Sequence, residues 1–136
     1  MKKSVCFVLC LFMMACAPAY RAQPKGAFAR WWDPSGYNEQ QIDDDTYLVS
    51  FLSPSNANAQ QNLLRAMYRA AEIAIEHDYE YFKVLNNQST RDNPTRFASD
   101  SPMNLTDITV RFYHERIDDT VINAKNYIGH VKVKKS

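Results

Sequence analysis

Residues 62 to 85 read NLLRAMYRAAEIAIEHDYEYFKVL, and this stretch decides the fold. Its first part repeats apolar residues at spacings of three and four, which predicts an amphipathic helix. The predicted apolar stripe comprises Leu63, Leu64, Met67, Tyr68, Ala70, Ala71, Ala74 and Ile75. After His77 and Asp78 the period changes to two, with Phe82 and Val84 on one side, so a strand follows the helix directly.

The charged residues of the helix predict a solvent-facing side opposite the stripe. Arg65, Arg69, Glu72 and Glu76 fall on that side, and Ile73 lies outside the stripe. The chain must turn after the helix without a glycine. Asp78 is the predicted cap, because aspartate tolerates the left-handed conformation better than most residues.

Further segments complete the prediction of the fold. Tyr47, Val49 and Phe51 lie at every second position, as do Ile108, Val110 and Phe112, and both runs predict strands. We expect a long loop from Asn86 to Asn104, a short helix over residues 121 to 128 ended by Gly129, and an edge strand containing Val131 and Val133. The predicted class is α+β: one long amphipathic helix on a small, mostly antiparallel sheet of three to four strands, with a short C-terminal helix.

The N-terminus has the pattern of an export signal. Lys2 and Lys3 precede an apolar run from Val5 to Ala15, which is too short for a membrane span of about 20 residues. The run ends in MMAC, residues 13 to 16, which resembles a bacterial lipobox. That resemblance implies lipid acylation of Cys16. The alternative is an ordinary secretory signal, cut near Ala15 or Ala17, that releases an unlipidated secreted protein.

These features predict three regions: a lipoprotein signal peptide over residues 1–15, a lipidated tether over 16–30 and a single α+β domain over 31–136. The tether is inferred from Pro18, Pro24 and Gly26 in a stretch without apolar periodicity. Cleavage before Cys16 leaves one cysteine, so the domain folds without disulfides. Ala17 follows the cysteine, and by resemblance to known lipoproteins this implies the outer membrane, facing the periplasm, rather than the inner membrane.

Two sets of residues are candidates for function. Trp31, Trp32 and Tyr37 combine three aromatic rings with a turn. They suit either an exposed contact for a glycan, a lipid headgroup or an envelope protein partner, or a buried clamp where the chain enters the domain, and the clamp is the favoured interpretation. Glu39 and Glu72 are candidate functional carboxylates, although surface solvation or a salt bridge to Arg69 is the simpler explanation for both.

Several kinds of chemistry lack their usual residue patterns. The chain has three glycines and no phosphate-binding loop, and its three histidines are scattered along the sequence. We therefore expect no metal and no cofactor. The formal net charge of +1 gives no indication of nucleic-acid binding.

Three segments together resemble a family of small proteobacterial lipoproteins of unknown function. They are the lipobox, GYNEQQIDDDTYLVSF from Gly36 to Phe51 and YRAAEIAIEHDYEYF from Tyr68 to Phe82. The matching residues are Gly36, Tyr37, Glu39, Tyr47, Val49, Phe51, Arg69, Ala70, Ala71, Glu72, Tyr79 and Phe82. The resemblance implies an anchored envelope protein and supplies no activity. Two functions follow as hypotheses: a binding or structural module held at the membrane, or a small envelope hydrolase.

Overall fold

The computed structural model describes residues 20 to 26, 35 to 54, 57 to 92 and 102 to 133. The elements, in chain order, are β1 (Gly36–Asp43), β2 (Thr46–Pro54), α1 (Ala59–Glu76), β3 (Tyr81–Asp92), β4 (Met103–Tyr113), β5 (Ile122–Asn123) and α2 (Ala124–His130). The strands form one antiparallel sheet in the order β1-β2-β4-β3-β5. The predicted α+β class is confirmed, and the described sheet has five strands instead of three to four.

The core lies between one face of the sheet and helix α1. The predicted alternation is confirmed, because Val49 and Phe51 on β2 and Ile108 and Val110 on β4 are fully buried. Ala66, Ala70 and Ala74 are also fully buried, and their small side chains allow the helix backbone to approach the sheet closely. None of the helices in the described parts of the chain is long and apolar enough to cross a membrane.

The buried side of α1 is wider than the predicted stripe. Ile73 and Arg69, both expected outside the stripe, are buried, whereas Leu64 and Ile75 at its margin are exposed. Helix periodicity locates the apolar residues but not the neighbours that cover the remaining sides. The helix ends at Glu76 and its C-cap is His77, one residue before the predicted cap. Asp78 follows with the expected positive φ, 63°.

Two strand boundaries differ from the prediction. Strand β1 is a polar edge strand without hydrophobic periodicity, so no strand is predicted there from the pattern of residues. The expected loop from Asn86 to Asn104 is wrong at both ends, because β3 continues to Asp92 and β4 begins at Met103. Hydrogen bonds to β4 carry β3 past a bulge between Val84 and Asn86 although the following side chains are exposed.

The C-terminal segment also differs. Helix α2 begins after the cap Asn123 and includes Gly129, which was expected to end it. Val131 and Val133 lie in no strand, and both pack against the core. Alternation over three residues is too short to specify a strand when α2 and α1 offer an apolar surface to the same side chains.

The segment from Tyr20 to Gln23 is attached to the domain, which corrects the expected tether over 16–30 for these residues. Tyr20 is buried in the core, and Ala22 forms a parallel bridge with Tyr37 on β1. The amide of Gln23 donates to Tyr37 O at 2.8 Å, and the amide of Tyr37 donates to Arg21 O at 2.7 Å.

Gly36 makes this attachment possible. Its φ of 127° is one that side-chain-bearing residues rarely adopt. A Cβ at this position would collide with Arg21 O and would lie 3.1 Å from the carbonyl carbon of Ala22. Only glycine therefore lets the N-terminal segment lie directly against the start of β1.

Candidate functional site

The two predicted carboxylates, Glu39 and Glu72, meet at one arginine. Glu39 lies on β1 opposite Val49 of β2, on the face that α1 covers. Arg69, Glu72 and Glu76 are three and seven residues apart on α1, so all three side chains emerge near the same side of the helix. We call this group, together with Tyr20 and Tyr37, the Arg69 clamp.

Arg69 uses every nitrogen of its guanidinium in the clamp. Glu39 accepts two hydrogen bonds, from Nε at 2.6 Å and from Nη2 at 3.0 Å. Glu76 accepts two more, from Nη1 at 2.7 Å and from Nη2 at 3.1 Å. Glu72 accepts one from Nη1 at 3.2 Å. Paired bonds from a planar guanidinium to a carboxylate fix orientation as well as distance, so α1 and β1 are held in one register.

Two tyrosines extend the clamp to the N-terminal segment. The hydroxyl of Tyr20 donates a hydrogen bond to the same Glu72 oxygen that Arg69 contacts. The Arg69 guanidinium lies over the Tyr37 ring, 4.9 Å from its centroid, and the Tyr20 ring lies 5.2 Å from the Tyr37 ring. Three separate parts of the chain therefore converge on one cation: the N-terminal segment, edge strand β1 and helix α1.

The surroundings of the clamp favour the charged form of Arg69 and the neutral form of Tyr20. Burial lowers the pKa of Arg69, but the hydrogen bonds to Glu39 and Glu76 outweigh that effect, and the net pKa is raised. Burial raises the pKa of Tyr20, and its hydrogen bond to Glu72 raises this pKa further. Tyr20 thus stays a hydrogen-bond donor at any physiological pH.

This arrangement performs a structural task. The Arg69 side chain is 11% exposed, and it forms ion pairs with Glu39, Glu72 and Glu76. Glu39 and Glu72 are therefore salt-bridge partners of Arg69. This agrees with the salt-bridge explanation of these two carboxylates.

One helical turn before Arg69, Arg65 has very different surroundings. Its guanidinium carbon lies 5.4 Å from the centroid of the Phe51 ring. Its Nη1 is buried, and no described residue accepts a hydrogen bond from it. Sequence reasoning missed this position, because periodicity alone placed Arg65 among solvent-facing charges.

Arg65 borders a cavity of about 300 Å³ between α1 and the C-terminal segment. The six lining residues are Gln61, Leu64, Arg65, Val131, Lys132 and Val133. The second wall is fixed by α2, since the Tyr127 hydroxyl donates to Leu64 O at 3.4 Å and the Val131 amide donates to Tyr127 O at 2.9 Å. None of the lining residues is acidic.

The histidines do not form a site together. His77 Nε2 lies 3.5 Å from the Tyr47 hydroxyl, and the His114 ring stacks on Tyr79 at 4.5 Å between centroids. His130 contacts Asn126 O within α2. Across residues 20 to 26, 35 to 54, 57 to 92 and 102 to 133, no three His, Cys, Asp or Glu side chains are grouped to hold a metal ion.

The remaining predicted site residues have different outcomes. Cys16, Trp31 and Trp32 lie outside the described residues. Tyr37 is half-buried between Tyr20 and Arg69, so packing within the clamp accounts for its aromatic ring. The envelope-partner contact therefore stays a prediction for the two tryptophans.

No family model, curated protein or solved structure matches this chain. The resemblance to small proteobacterial lipoproteins therefore stays a prediction from the quoted segments. The physical account of the site depends on the residues of this chain alone.

Proposed function

We propose that this chain is a lipid-anchored lipoprotein of the bacterial cell envelope that acts as a binding or structural module. The observation that carries the proposal is the spacing between the lipobox and the fold. Cys16 ends the lipobox, and Tyr20, four residues later, is already buried in the core. An anchor at Cys16 would hold the domain by a very short connection.

The length of that connection determines where the domain would lie. Four residues span at most about 14 Å when fully extended. A domain tied so closely to acyl chains would remain beside the lipid headgroups and would have little freedom to reach across the periplasm. Ala17 after the cysteine favours the outer membrane, facing the periplasm, as the place of anchoring.

The Arg69 clamp supports the proposal of a binding or structural module that is not catalytic. It ties Tyr20, four residues after the lipobox cysteine, to β1 and α1 through Glu72, Arg69 and Tyr37. A pull on the chain at Cys16 would therefore be transmitted through Tyr20 to helix α1 and to the sheet. The proposal assigns binding to the anchored domain and assigns no catalytic role to its carboxylates.

Metabolic labelling with a radioactive fatty acid, followed by membrane fractionation, tests the anchor. Cys16→Ser should remove the label and leave an unprocessed precursor. Cys10→Ser is the matched control, because it removes a cysteine from the apolar run and should leave labelling unchanged. A Cys16→Ser protein that is processed and labelled like the wild type would refute the lipoprotein assignment.

A further inference from the structure

The cavity beside Arg65 contains the elements of a small-ligand site. Its volume of about 300 Å³ lies at the lower end of the range for ligand pockets. Leu64, Val131 and Val133 give it an apolar wall, and Gln61 and Lys132 contribute polar side chains. The site lies wholly in the described domain, so it does not depend on acylation of Cys16.

The chemistry of the missing partner follows from Arg65. A buried donor without an acceptor destabilises a protein relative to one whose hydrogen bond is made. Arg65 Nη1 is such a donor, and the guanidinium has no ion pair with any described carboxylate. Burial lowers the pKa of Arg65, which is the direction expected for a cation held away from both water and a counter-ion.

The neighbouring carboxylates are not available to it. Glu72 and Glu76, the acidic residues of the same helix, bind Arg69. The Phe51 ring lies against the Arg65 guanidinium, 5.4 Å from its carbon to the ring centroid, and a ring face does not replace an acceptor for the N–H donors. A guanidinium edge matches a carboxylate in shape and charge.

We propose that this cavity binds a small amphiphilic carboxylate, with the acidic head on Arg65 and a short aliphatic chain against Leu64, Val131 and Val133. A singly charged head suits a site with one buried cation. Lys132 would add a second positive charge near the same wall and steer anions toward the cavity. The small volume limits the ligand to a short-chain or medium-chain acid.

Photolabelling of the full chain with a diazirine analogue of octanoate tests the site, with adducts mapped by peptide mass spectrometry. We expect adducts on the peptides that contain Leu64 and Val131, and we expect unlabelled octanoate to compete for them. Arg65→Gln should lower the yield at least tenfold at a limiting probe concentration, and Arg65→Lys should lower it less. Lys125→Gln, an exposed lysine of α2 that does not line the cavity, is the matched control and should label normally.

Two competitors and one further variant separate the parts of the proposal. Octanol competing as well as octanoate would overturn the acidic head, and inorganic phosphate competing equally well would overturn the aliphatic tail. Val133→Asp places a negative charge in the wall outside every helix and strand, and it should abolish labelling even if Arg65→Gln does not fold. Undiminished labelling in Val133→Asp, or in a folded Arg65→Gln protein, would overturn the site.

Discussion

Arg65 and Arg69 lie one turn apart on helix α1 and have opposite surroundings. Arg69 binds three carboxylates and lies over a tyrosine ring, and its side chain is 11% exposed. Arg65 lies over a phenylalanine ring, with a buried nitrogen that no described residue accepts. The same residue type on one helix therefore serves two purposes: Arg69 joins parts of the chain, and Arg65 leaves a charge unsatisfied beside a cavity.

The difference arises from the strands beneath the helix. Arg69 lies near β1, whose helix-facing residues Tyr37 and Glu39 are polar and complement a cation. Arg65 lies over Phe51 of β2 and beside the C-terminal segment, where the neighbours are apolar or basic. A half-buried charge stabilises the fold only where the tertiary neighbours supply its counter-charge.

The largest expected effect is the loss of the Arg69 cation. Arg69→Met would leave Glu39, Glu72 and Glu76 close together without the guanidinium that they share. Removing one partner of a buried ion pair is strongly destabilising, and we expect a loss on the order of 3 kcal/mol in the free energy of unfolding. Urea denaturation followed by circular dichroism measures this loss.

An exposed arginine provides the control for this measurement. Arg116 pairs with Asp119 at 2.7 Å, and both side chains are largely in solvent. Arg116→Met should unfold near the wild-type urea midpoint, since exposed pairs contribute little. Equal shifts for Arg69→Met and Arg116→Met would mean that the clamp does not stabilise the domain.

Gly36→Ala should have the next largest effect, because it separates the N-terminal segment from the clamp. The new Cβ would collide with Arg21 O, and the backbone would keep a strained positive φ. We expect a loss of about 1–3 kcal/mol. Hydrogen exchange should accelerate at the amides of Gln23 and Tyr37, whose hydrogen bonds join the two segments.

Gly129→Ala is the matched control for the glycine substitution. Within the described residues, no atom beyond its chain neighbours and its own helix backbone lies within 4 Å of a Cβ at this position, and its φ lies outside the positive range. The substitution should stabilise the protein by about 0.4–1 kcal/mol. If Gly36→Ala were equally stabilising and exchange were unchanged, the attachment of the N-terminal segment would be misassigned.

Alkaline pH should weaken the protein through its buried tyrosines. Burial raises the pKa of Tyr20 above its usual value of 10.0, and burial raises that of Tyr127 to about 12. The folded state keeps these protons where the unfolded state releases them, so stability is intact below pH 10 and falls as the pH rises above it. Each such group contributes a slope of at most about 1.4 kcal/mol per pH unit.

Tyr20→Phe isolates the contribution of the clamp tyrosine to this slope. The urea midpoint of the variant should be lower than that of the wild type at pH 8 and should decline less steeply between pH 10 and 12. A decline identical to that of the wild type would show that Tyr20 releases its proton equally in both states.

The smallest effect is expected at Arg65. Arg65→Met removes a cation–π contact with Phe51, worth about 0.5–1 kcal/mol, and also removes a poorly solvated charge. These terms oppose each other, so the free energy of unfolding should change by less than about 1 kcal/mol. A loss as large as that of Arg69→Met would show that Arg65 has a structural partner.

The elements with apolar periodicity were predictable, and the polar ones were not. Val49 and Phe51 alternate with less buried neighbours because one face of β2 meets the helix, so the strand is visible in the sequence. Strand β1 faces the same helix with Tyr37 and Glu39, and its remaining side chains are exposed. Tyr37 and Glu39 contact Arg69 on helix α1. Because Arg69 is 30 residues away from Glu39, the residues around β1 alone do not indicate this contact.

The candidate site was predictable only in part. The spacing of Arg69, Glu72 and Glu76 on one helix allows local pairs, and a salt bridge from Arg69 to Glu39 was foreseen as an alternative. The burial of Arg69 depends on β1 and Tyr20, which are distant in sequence. The cavity beside Arg65 forms only when α2 brings Val131 and Val133 against α1, and sequence periodicity carries no information about that contact.

A double-mutant cycle between Arg69→Met and Glu39→Gln tests the central claim most directly, because it measures the interaction that joins α1 to β1. We predict a coupling free energy of at least about 1 kcal/mol in urea denaturation. The parallel cycle between Arg65→Met and Glu39→Gln should be additive within about 0.5 kcal/mol. Additivity in the Arg69 cycle, or equal coupling in both cycles, would contradict the distinction between the two arginines.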